Sequence, residues 1–204
     1  MSDCAGAAAP GAPVSHLLYL HGFRSSPQSA KARRIAAWVR AHRPDLVWLC
    51  PQLPPSPSAA IDAVMAATAA WPRDRMAVIG SSLGGFYATA AAERASCRAV
   101  LLNPAVDPAR DLTAHIGEQT AWHGDDRFYF QREFIDELRA RTPPARLTRP
   151  DLYFAVIAKG DEVLSWQEMN ARYAGCRIRL IEGSDHALSD FESHLPSVLG
   201  FLGL

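Results

Sequence analysis

A glycine-flanked serine segment, residues 80–84 with the sequence Gly-Ser-Ser-Leu-Gly, follows an apolar run and restricts the local fold more than any other part of the chain. The residues two before and two after the apex of a sharp strand-to-helix turn must be nearly free of side chain, because the backbone segments approach closely there. Gly80 and Gly84 meet this need around Ser82, whereas Ser81 has bulky neighbours at the same spacing. We therefore predict a nucleophile elbow, with the Ser82 hydroxyl exposed at the end of a sheet.

Short apolar runs alternate with helical patterns along the chain, which predicts an α/β fold. Most of the runs lack polar alternation, as expected of parallel strands that are covered on both faces. The runs lie at residues 16–20, 46–50, 75–79, 99–102, 152–158 and 177–181. Helices are predicted at residues 27–42, 59–70, 83–94, 166–173 and about 197–204. The sequence thus predicts a mainly parallel sheet with helices on both faces.

Proline and aromatic residues add detail to this pattern. Ser26 and Pro27 suit the cap and the first turn of a helix, and the proline-rich residues 51–57 predict an extended connection. Residues of about 104–150 form an insertion between two strands, and it is rich in aromatic side chains. These are Trp122, Phe128, Tyr129, Phe130 and Phe134. They either form a small cap-like insertion near the strand ends or complete the core.

The length and the charge balance limit the class of protein. The 204 residues are enough for one sizeable core, so we predict one domain over residues 15–204 after a disordered tail over residues 1–14. Lys+Arg and Asp+Glu both number 21, which argues against a nucleic-acid partner. No apolar run is long enough to span a membrane. The cysteines are widely separated, form no metal-binding or disulfide pattern and fit a reducing compartment. They are Cys4, Cys50, Cys97 and Cys176.

A serine hydroxyl needs a base within hydrogen-bond reach and an acid that orients the base. Asp161 directly follows one predicted strand and His186 follows the next, which gives the chain order Ser, Asp, His of α/β-hydrolases. His194 is a rival base, but it falls in the approach to the last helix. Rival acids are Glu162, Asp107 after an earlier strand, and Asp185, which is better explained as a turn residue. We therefore predict Ser82, Asp161 and His186 as catalytic residues.

Backbone amides complete the predicted site. The Leu83 N–H opens a helix, and the Phe23 N–H follows a His-Gly pair at the end of the first predicted strand. Together they are positioned to hold a developing oxyanion. His21 is better explained as a brace of this loop than as a chemical participant. A metal site at His115, His123 and Asp125 would match no specific signature, so we predict no metal site there.

By these residues the chain resembles the YqiA-type bacterial esterases of the α/β-hydrolase superfamily. The matching stretches are residues 21–32, 80–87, 102–105, 116–119, 160–163 and 185–187. The resemblance implies a cytoplasmic serine esterase without a cofactor, with Ser82, Asp161 and His186 as its triad. Leu188 departs from the aromatic residue expected at that place, which puts the shape of the acyl pocket in doubt.

The sequence therefore predicts hydrolysis of short-chain acyl esters through an acyl-enzyme intermediate on Ser82. The predicted partner is a small-molecule ester or thioester, and the oligomeric state stays open. An acyl thioesterase or acyltransferase with the same triad is the alternative, because the sequence does not separate the leaving groups or acceptors. A binding protein on a hydrolase scaffold is a further alternative, although such a protein usually lacks one triad member.

Overall fold

A six-stranded sheet forms the centre of the computed structural model, which describes residues 13–122 and 127–204. Its strands are β1 (His16–Leu20), β2 (Val47–Leu49), β3 (Met76–Ser81), β4 (Arg98–Leu102), β7 (Tyr153–Ala158) and β8 (Arg177–Ile181). They lie in the order β2-β1-β3-β4-β7-β8, and every neighbouring pair is parallel. The carboxyl ends of β3, β7 and β8 therefore meet at one edge of the sheet.

Helices cover both faces of this sheet, as predicted. They are α1 (Ala30–His42), α2 (Pro57–Ala67), α3 (Leu83–Ala95), α4 (Pro108–Asp111), α5 (Glu133–Ala140), α6 (Trp166–Arg172) and α7 (Phe191–Leu202). Alternate residues of β1 enter different cores: Leu17 and Tyr19 pack in the layer of α1 and α7, and Leu18 and Leu20 in the layer of α2 and α3. Burial on both faces explains why the strands lack polar alternation.

The predicted start of the first helix is wrong by three residues. Ser26 was expected to cap a helix that begins at Pro27, but α1 begins at Ala30. The Ser26 hydroxyl instead accepts the N–H of Gln28, and the Ser26 carbonyl accepts the N–H of Ser29. These local bonds close a turn and so compete with the helix.

Two other helices begin earlier than predicted. α2 begins at Pro57, where the Ser56 hydroxyl accepts the N–H of Ala59 and proline occupies the first turn. The predicted extended connection therefore ends one residue sooner. α7 begins at Phe191 and continues through Pro196, whereas the prediction placed its start after that proline.

The insertion between β4 and β7 contains α4, α5 and an antiparallel hairpin of β5 (Gly117–Thr120) and β6 (Arg127–Phe130). Its aromatic residues divide between the two predicted roles. Phe130 and Phe134 are buried in the core, whereas Trp122 and Tyr129 are exposed on the hairpin. Part of the insertion therefore completes the core, and part of it lies at the surface.

The amino-terminal boundary differs slightly from the prediction. Residues 1–12 of the predicted tail lie outside the described residues. Val14 is buried in the core, so the packed chain includes at least this residue of the tail. Among the described helices, none is both long and apolar enough to cross a membrane.

Candidate active site

Ser82 lies at the apex of the turn between β3 and α3, with the strained backbone angles φ 56° and ψ −123°. The two flanking positions require glycine because neighbouring backbone atoms approach them closely. A Cβ added at Gly80 would lie 2.1 Å from the carbonyl oxygen of Gly84, and one added at Gly84 would lie 2.0 Å from that of Leu20. The predicted geometry of the turn is confirmed by these contacts, which leave no room for a side chain.

Backbone hydrogen bonds hold Ser82 in this strained conformation. Its N–H donates to the carbonyl of Leu102 at 3.0 Å. Its carbonyl accepts the N–H of Ala105 at 3.0 Å and that of Gly85 at 2.8 Å. The end of β4 and the residues after it therefore fix both sides of the Ser82 peptide.

The structure brings Ser82, His186 and Asp161 together, although 79 and 25 residues separate them along the chain (161 − 82 and 186 − 161). His186 Nε2 lies 3.0 Å from Ser82 Oγ, and His186 Nδ1 lies 2.8 Å from Asp161 Oδ2. The Asp161 side chain is fully buried, while that of His186 is 22% exposed. An ionised Asp161 only accepts, so Nδ1 donates to it and Nε2 presents its lone pair to the hydroxyl.

The Asp161 carboxylate is itself oriented by the backbone. Its Oδ1 accepts the N–H groups of Val163 and Leu164, both at 2.8 Å, which leaves Oδ2 directed at the imidazole. These bonds to the charged form satisfy the carboxylate, which would otherwise be costly to bury. The arrangement fixes one tautomer of His186, the one in which Nε2 is free to take a proton.

Sequence reasoning missed the residues that hold the His186 loop. The side-chain amide of Asn103 donates to the carbonyls of Asp185 and His186 at 3.0 and 3.2 Å. Glu162 Oε2 accepts the His186 N–H at 3.0 Å, and Lys31 Nζ donates to the carbonyl of Ala187. Both Lys31 and Asn103 lie in the stretches that carry the family resemblance, which was the available signal.

Asn103 connects three parts of the site. It is fully buried and has a φ of 42°, a conformation that asparagine adopts more readily than most residues. Its Oδ1 accepts the Ala158 N–H at 2.8 Å at the end of β7, while its amide nitrogen holds the His186 loop. The carbonyl of Leu102, just before it, and the N–H of Ala105, two residues after it, bind the Ser82 backbone, so a change at Asn103 should affect all three candidate catalytic residues.

We expect Asn103→Asp to lower kcat of ester hydrolysis roughly 100-fold with little change in KM, because it misplaces His186 rather than the substrate. The carboxylate can still accept the Ala158 N–H, but it repels the two carbonyls that Asn103 binds. Steady-state kinetics well below the melting temperature measure this. A folded variant with wild-type kcat and only a lower melting temperature would limit Asn103 to a structural role.

Lys31 is partly buried beside this loop. Burial lowers the pKa of its ammonium group to about 8, although the charges of Asp185 and Asp161 oppose the shift. The folded protein therefore loses this proton near pH 8, whereas an unfolded chain keeps it to about 10.4. Because the unfolded state binds more protons over that interval, this group contributes stability that rises with pH.

The pH dependence of stability should isolate Lys31. We expect the free energy of unfolding of the wild type to increase relative to that of Lys31→Met as the pH rises from 8 towards about 10. Denaturant unfolding of both proteins at a series of pH values measures the difference, in which other titrating groups cancel. Parallel curves for the two proteins would contradict the lowered pKa.

The rival residues occupy other positions. Asp185 accepts the N–H and the hydroxyl of Ser189, and these bonds lower its pKa; it is part of a turn, as predicted. Asp107 is exposed and accepts the N–H of Arg110 at 3.2 Å at the start of α4. His194 pairs with Asp190 on α7, at 2.9 Å. Of the described acids, Asp161 is the one that His186 contacts through its ring.

The two predicted amides lie beside the Ser82 turn. Among the described residues, neither the Phe23 N–H nor the Leu83 N–H has a hydrogen-bond acceptor. His21 is buried and braces the Phe23 loop, as expected: its Nε2 accepts the Leu53 N–H at 3.1 Å, and its Nδ1 lies 3.0 Å from the Gly22 carbonyl. Both amides are thus available as donors.

A cavity of about 460 Å³ opens beside Ser82. Gly22 and Leu83 line it, and a Cβ added at Gly22 would lie 3.1 Å from that of Ser82. Leu188 is buried in the core against α7 and is absent from the described lining of this cavity. The departure from the family pattern at Leu188 therefore does not reach the described lining of this cavity.

No group of three or more His, Cys, Asp or Glu side chains is placed to hold a metal ion within residues 13–122 and 127–204. Of the metal site considered from the sequence, His123 and Asp125 lie outside the described residues. The remaining member, His115, packs its ring 5.6 Å from that of Phe23.

Comparisons with known proteins agree with the fold. The model of a family described as "Uncharacterised protein family (UPF0227)" matches residues 16–203. Among solved structures, mouse alpha/beta hydrolase domain-containing protein 10 has a TM-score of 0.70 at 16% identity, over 95% of this chain and 92% of that one. The neighbours identify the α/β-hydrolase fold.

Two bacterial enzymes are similar in structure as well. The esterase domain of a Rhodothermus marinus protein has a TM-score of 0.62 at 21% identity, over 92% of this chain and 85% of that one. Carboxylesterase CesB of Bacillus subtilis has a TM-score of 0.59 at 17% identity, over 93% and 84%. At these identities the likeness establishes a common scaffold, and the chemistry must be argued from the site.

Proposed function

Because the chain belongs to family UPF0227, the YqiA-type family that its motifs predict, and has the α/β-hydrolase fold, we propose that it is a serine esterase for short-chain acyl esters. One observation carries the proposal. A hydroxyl on a strained turn lies 3.0 Å from an imidazole whose other nitrogen lies 2.8 Å from a buried carboxylate. The esterase neighbours support the same chemistry.

In the proposed first step, His186 Nε2 takes the proton of Ser82 as Oγ attacks the ester carbonyl. The carbonyl π electrons move to its oxygen, and the Phe23 and Leu83 N–H groups donate to the resulting oxyanion. The loss of one such donor typically costs about 2.7 to 4 kcal/mol in the transition state. Asp161 stays ionised and stabilises the imidazolium.

Collapse of the tetrahedral intermediate then breaks the bond to the leaving alcohol, which takes the proton from His186. The acyl group remains on Ser82. A water molecule gives its proton to the same imidazole, attacks the acyl carbonyl and releases the acid, and His186 returns the proton to Ser82 Oγ. A thioester would follow the same steps with a thiol as the leaving group.

The size of the cavity supports a small substrate. Its volume of about 460 Å³ lies within the range of small-molecule sites. The described cysteines, Cys50, Cys97 and Cys176, are free thiols, which supports a reducing compartment and the proposed cytoplasmic location. We therefore extend the proposal to a cytoplasmic enzyme that acts on small acyl groups.

A chain-length series tests the substrate class. We expect kcat/KM for p-nitrophenyl esters to be highest from acetate to hexanoate and to fall at least about 10-fold for palmitate, since a long chain cannot be enclosed. Butyryl thioesters in the same series measure the leaving-group preference. Comparable rates for butyrate and for a long-chain triglyceride would contradict the proposal of a small acyl site.

Reaction with a fluorophosphonate probe separates a catalyst from a binding protein on the same scaffold. We expect stoichiometric labelling of the wild type on Ser82 and none of Ser82→Ala, read by mass spectrometry of the labelled peptide. Labelling should slow sharply in His186→Ala, because the hydroxyl then lacks its base. A wild-type protein that is folded but never labelled would overturn the proposal of a serine esterase.

A further inference from the structure

From the chemistry of the cavity beside Ser82 we propose that the enzyme prefers esters that carry a carboxylate, which Arg24 and Arg127 bind. This inference rests on the proposed esterase function and names its substrate class. The described lining of the cavity combines apolar and polar side chains with these two arginines and contains no acidic residue. The chain as a whole has equal numbers of acidic and basic residues, so this described lining differs from the chain in its balance of charge.

Arg24 is held in one orientation. Its Nε donates to the Thr120 carbonyl at 2.6 Å, and its guanidinium carbon lies 4.3 Å from the centre of the Trp122 ring. The backbone N–H of Trp122 in turn donates to the backbone carbonyl of Arg24 at 2.7 Å, and Arg24 has a φ of 59°. A strained backbone and two fixed contacts thus place this side chain before any ligand binds.

The terminal amino groups of Arg24 remain available. Within the described residues, neither they nor the guanidinium of Arg127 has a hydrogen-bond or carboxylate partner. Elsewhere in the chain, Arg43 and Arg149 each bind both oxygens of a nearby aspartate, and Arg110 does so with Glu168. A guanidinium fork fits a planar carboxylate through two parallel hydrogen bonds, and no residue in the described part of the chain supplies that partner to Arg24.

The hairpin places both arginines at the same cavity. Thr120, whose carbonyl holds Arg24, is the register partner of Arg127 in the pairing of β5 with β6. Both side chains line the cavity that Gly22 and Leu83 also line beside Ser82. An ester whose carbonyl sits at the Ser82 hydroxyl would therefore extend its remote end along a wall that carries two positive charges.

Two pairs of substrates locate the carboxylate. Monoethyl glutarate carries a carboxylate on its acyl part, and ethyl pentanoate is its neutral partner. The compound m-carboxyphenyl butyrate carries a carboxylate on its leaving group, and phenyl butyrate is its neutral partner. We expect kcat/KM to favour the anionic member of one pair by about 10-fold or more, and the preference to weaken with salt. Equal kcat/KM within both pairs, measured by titration of the released acid, would overturn the proposal.

Variants assign the preference to the arginines. We expect Arg24→Gln and Arg127→Gln each to lower the ratio of kcat/KM for the preferred anionic ester to kcat/KM for its neutral partner about 10- to 100-fold. Arg132→Gln is the matched control, since Arg132 is exposed near the same hairpin but is absent from the described cavity lining. A preference that survives in the Arg24→Gln, Arg127→Gln double variant would overturn the assignment.

Binding measurements separate this inference from the esterase proposal. We expect calorimetric titration of Ser82→Ala with glutarate to give binding that is lost in Ser82→Ala, Arg24→Gln. That result together with a wild type that hydrolyses no ester would uphold the carboxylate site and overturn the esterase function. A protein that hydrolyses neutral esters, does not bind glutarate and shows no anionic preference would uphold the esterase function and overturn the carboxylate site.

Discussion

Ser82→Ala is expected to lower kcat for p-nitrophenyl butyrate by about 10⁴- to 10⁶-fold. The change removes the only protein atom that forms a bond to the acyl carbon in the proposed mechanism. It removes little else, because the bonds that hold the turn to Leu102, Gly85 and Ala105 involve the Ser82 backbone. Steady-state kinetics with a melting curve of each protein measure the result.

Ser81→Ala is the matched control for this prediction. Ser81 has the same side chain one residue earlier, is buried as the last residue of β3, and its hydroxyl has no hydrogen bond to His186 in the described chain. We expect its kcat to stay within about threefold of the wild type. A loss in Ser81→Ala, or a Ser82→Ala protein within roughly 10-fold of wild-type kcat, would remove Ser82 as the nucleophile.

The turn around Ser82 was predictable because its signal is local. The signal is two glycines at fixed spacing after an apolar run. Both positions require glycine because an added Cβ at Gly80 or Gly84 would lie within about 2 Å of a backbone oxygen. The six strands of the sheet were likewise located from apolar runs, each within one or two residues at its ends, since burial on both faces leaves a continuous pattern. Parallel order then brought Asp161 and His186 to the edge at which Ser82 lies.

The support of this site was not predictable in the same way. Asn103 binds residues that are 55 and 82 positions away in the sequence, so nothing in its own neighbourhood indicates its partners. The hairpin of β5 and β6 was also missed, because its strands are short and partly polar and give no clear alternation. The same hairpin positions Arg24, whose motif was noticed only as part of a resemblance. Long-range contacts therefore account for most of what the sequence left open.

Asp161→Asn is expected to lower kcat by about 10⁴-fold while the fold is kept. In the wild type, Oδ1 of Asp161 accepts the N–H groups of Val163 and Leu164, and Oδ2 faces His186 Nδ1. The two backbone donors should hold the amide oxygen of an asparagine at the Oδ1 position and direct its NH₂ at the imidazole. His186 Nδ1 must then accept, which puts the ring proton on Nε2, where it cannot take the proton of Ser82. Nitrogen NMR of the His186 ring measures the tautomer, and kinetics measure its cost.

Asp107→Asn is the control that decides between Asp161 and Asp107, one of the rival acids considered from the sequence. Asp107 begins α4 by accepting the Arg110 N–H, and asparagine caps a helix about as well as aspartate, so neither stability nor kcat should change. If instead Asp107→Asn lost activity and Asp161→Asn kept it, with His186 in its wild-type tautomer, the acid would have to reach the site by a rearrangement of the insertion. Comparison of Asp161→Asn with Asp107→Asn thus shows whether activity depends on the one charge that orients His186 or on any aspartate at this edge of the sheet.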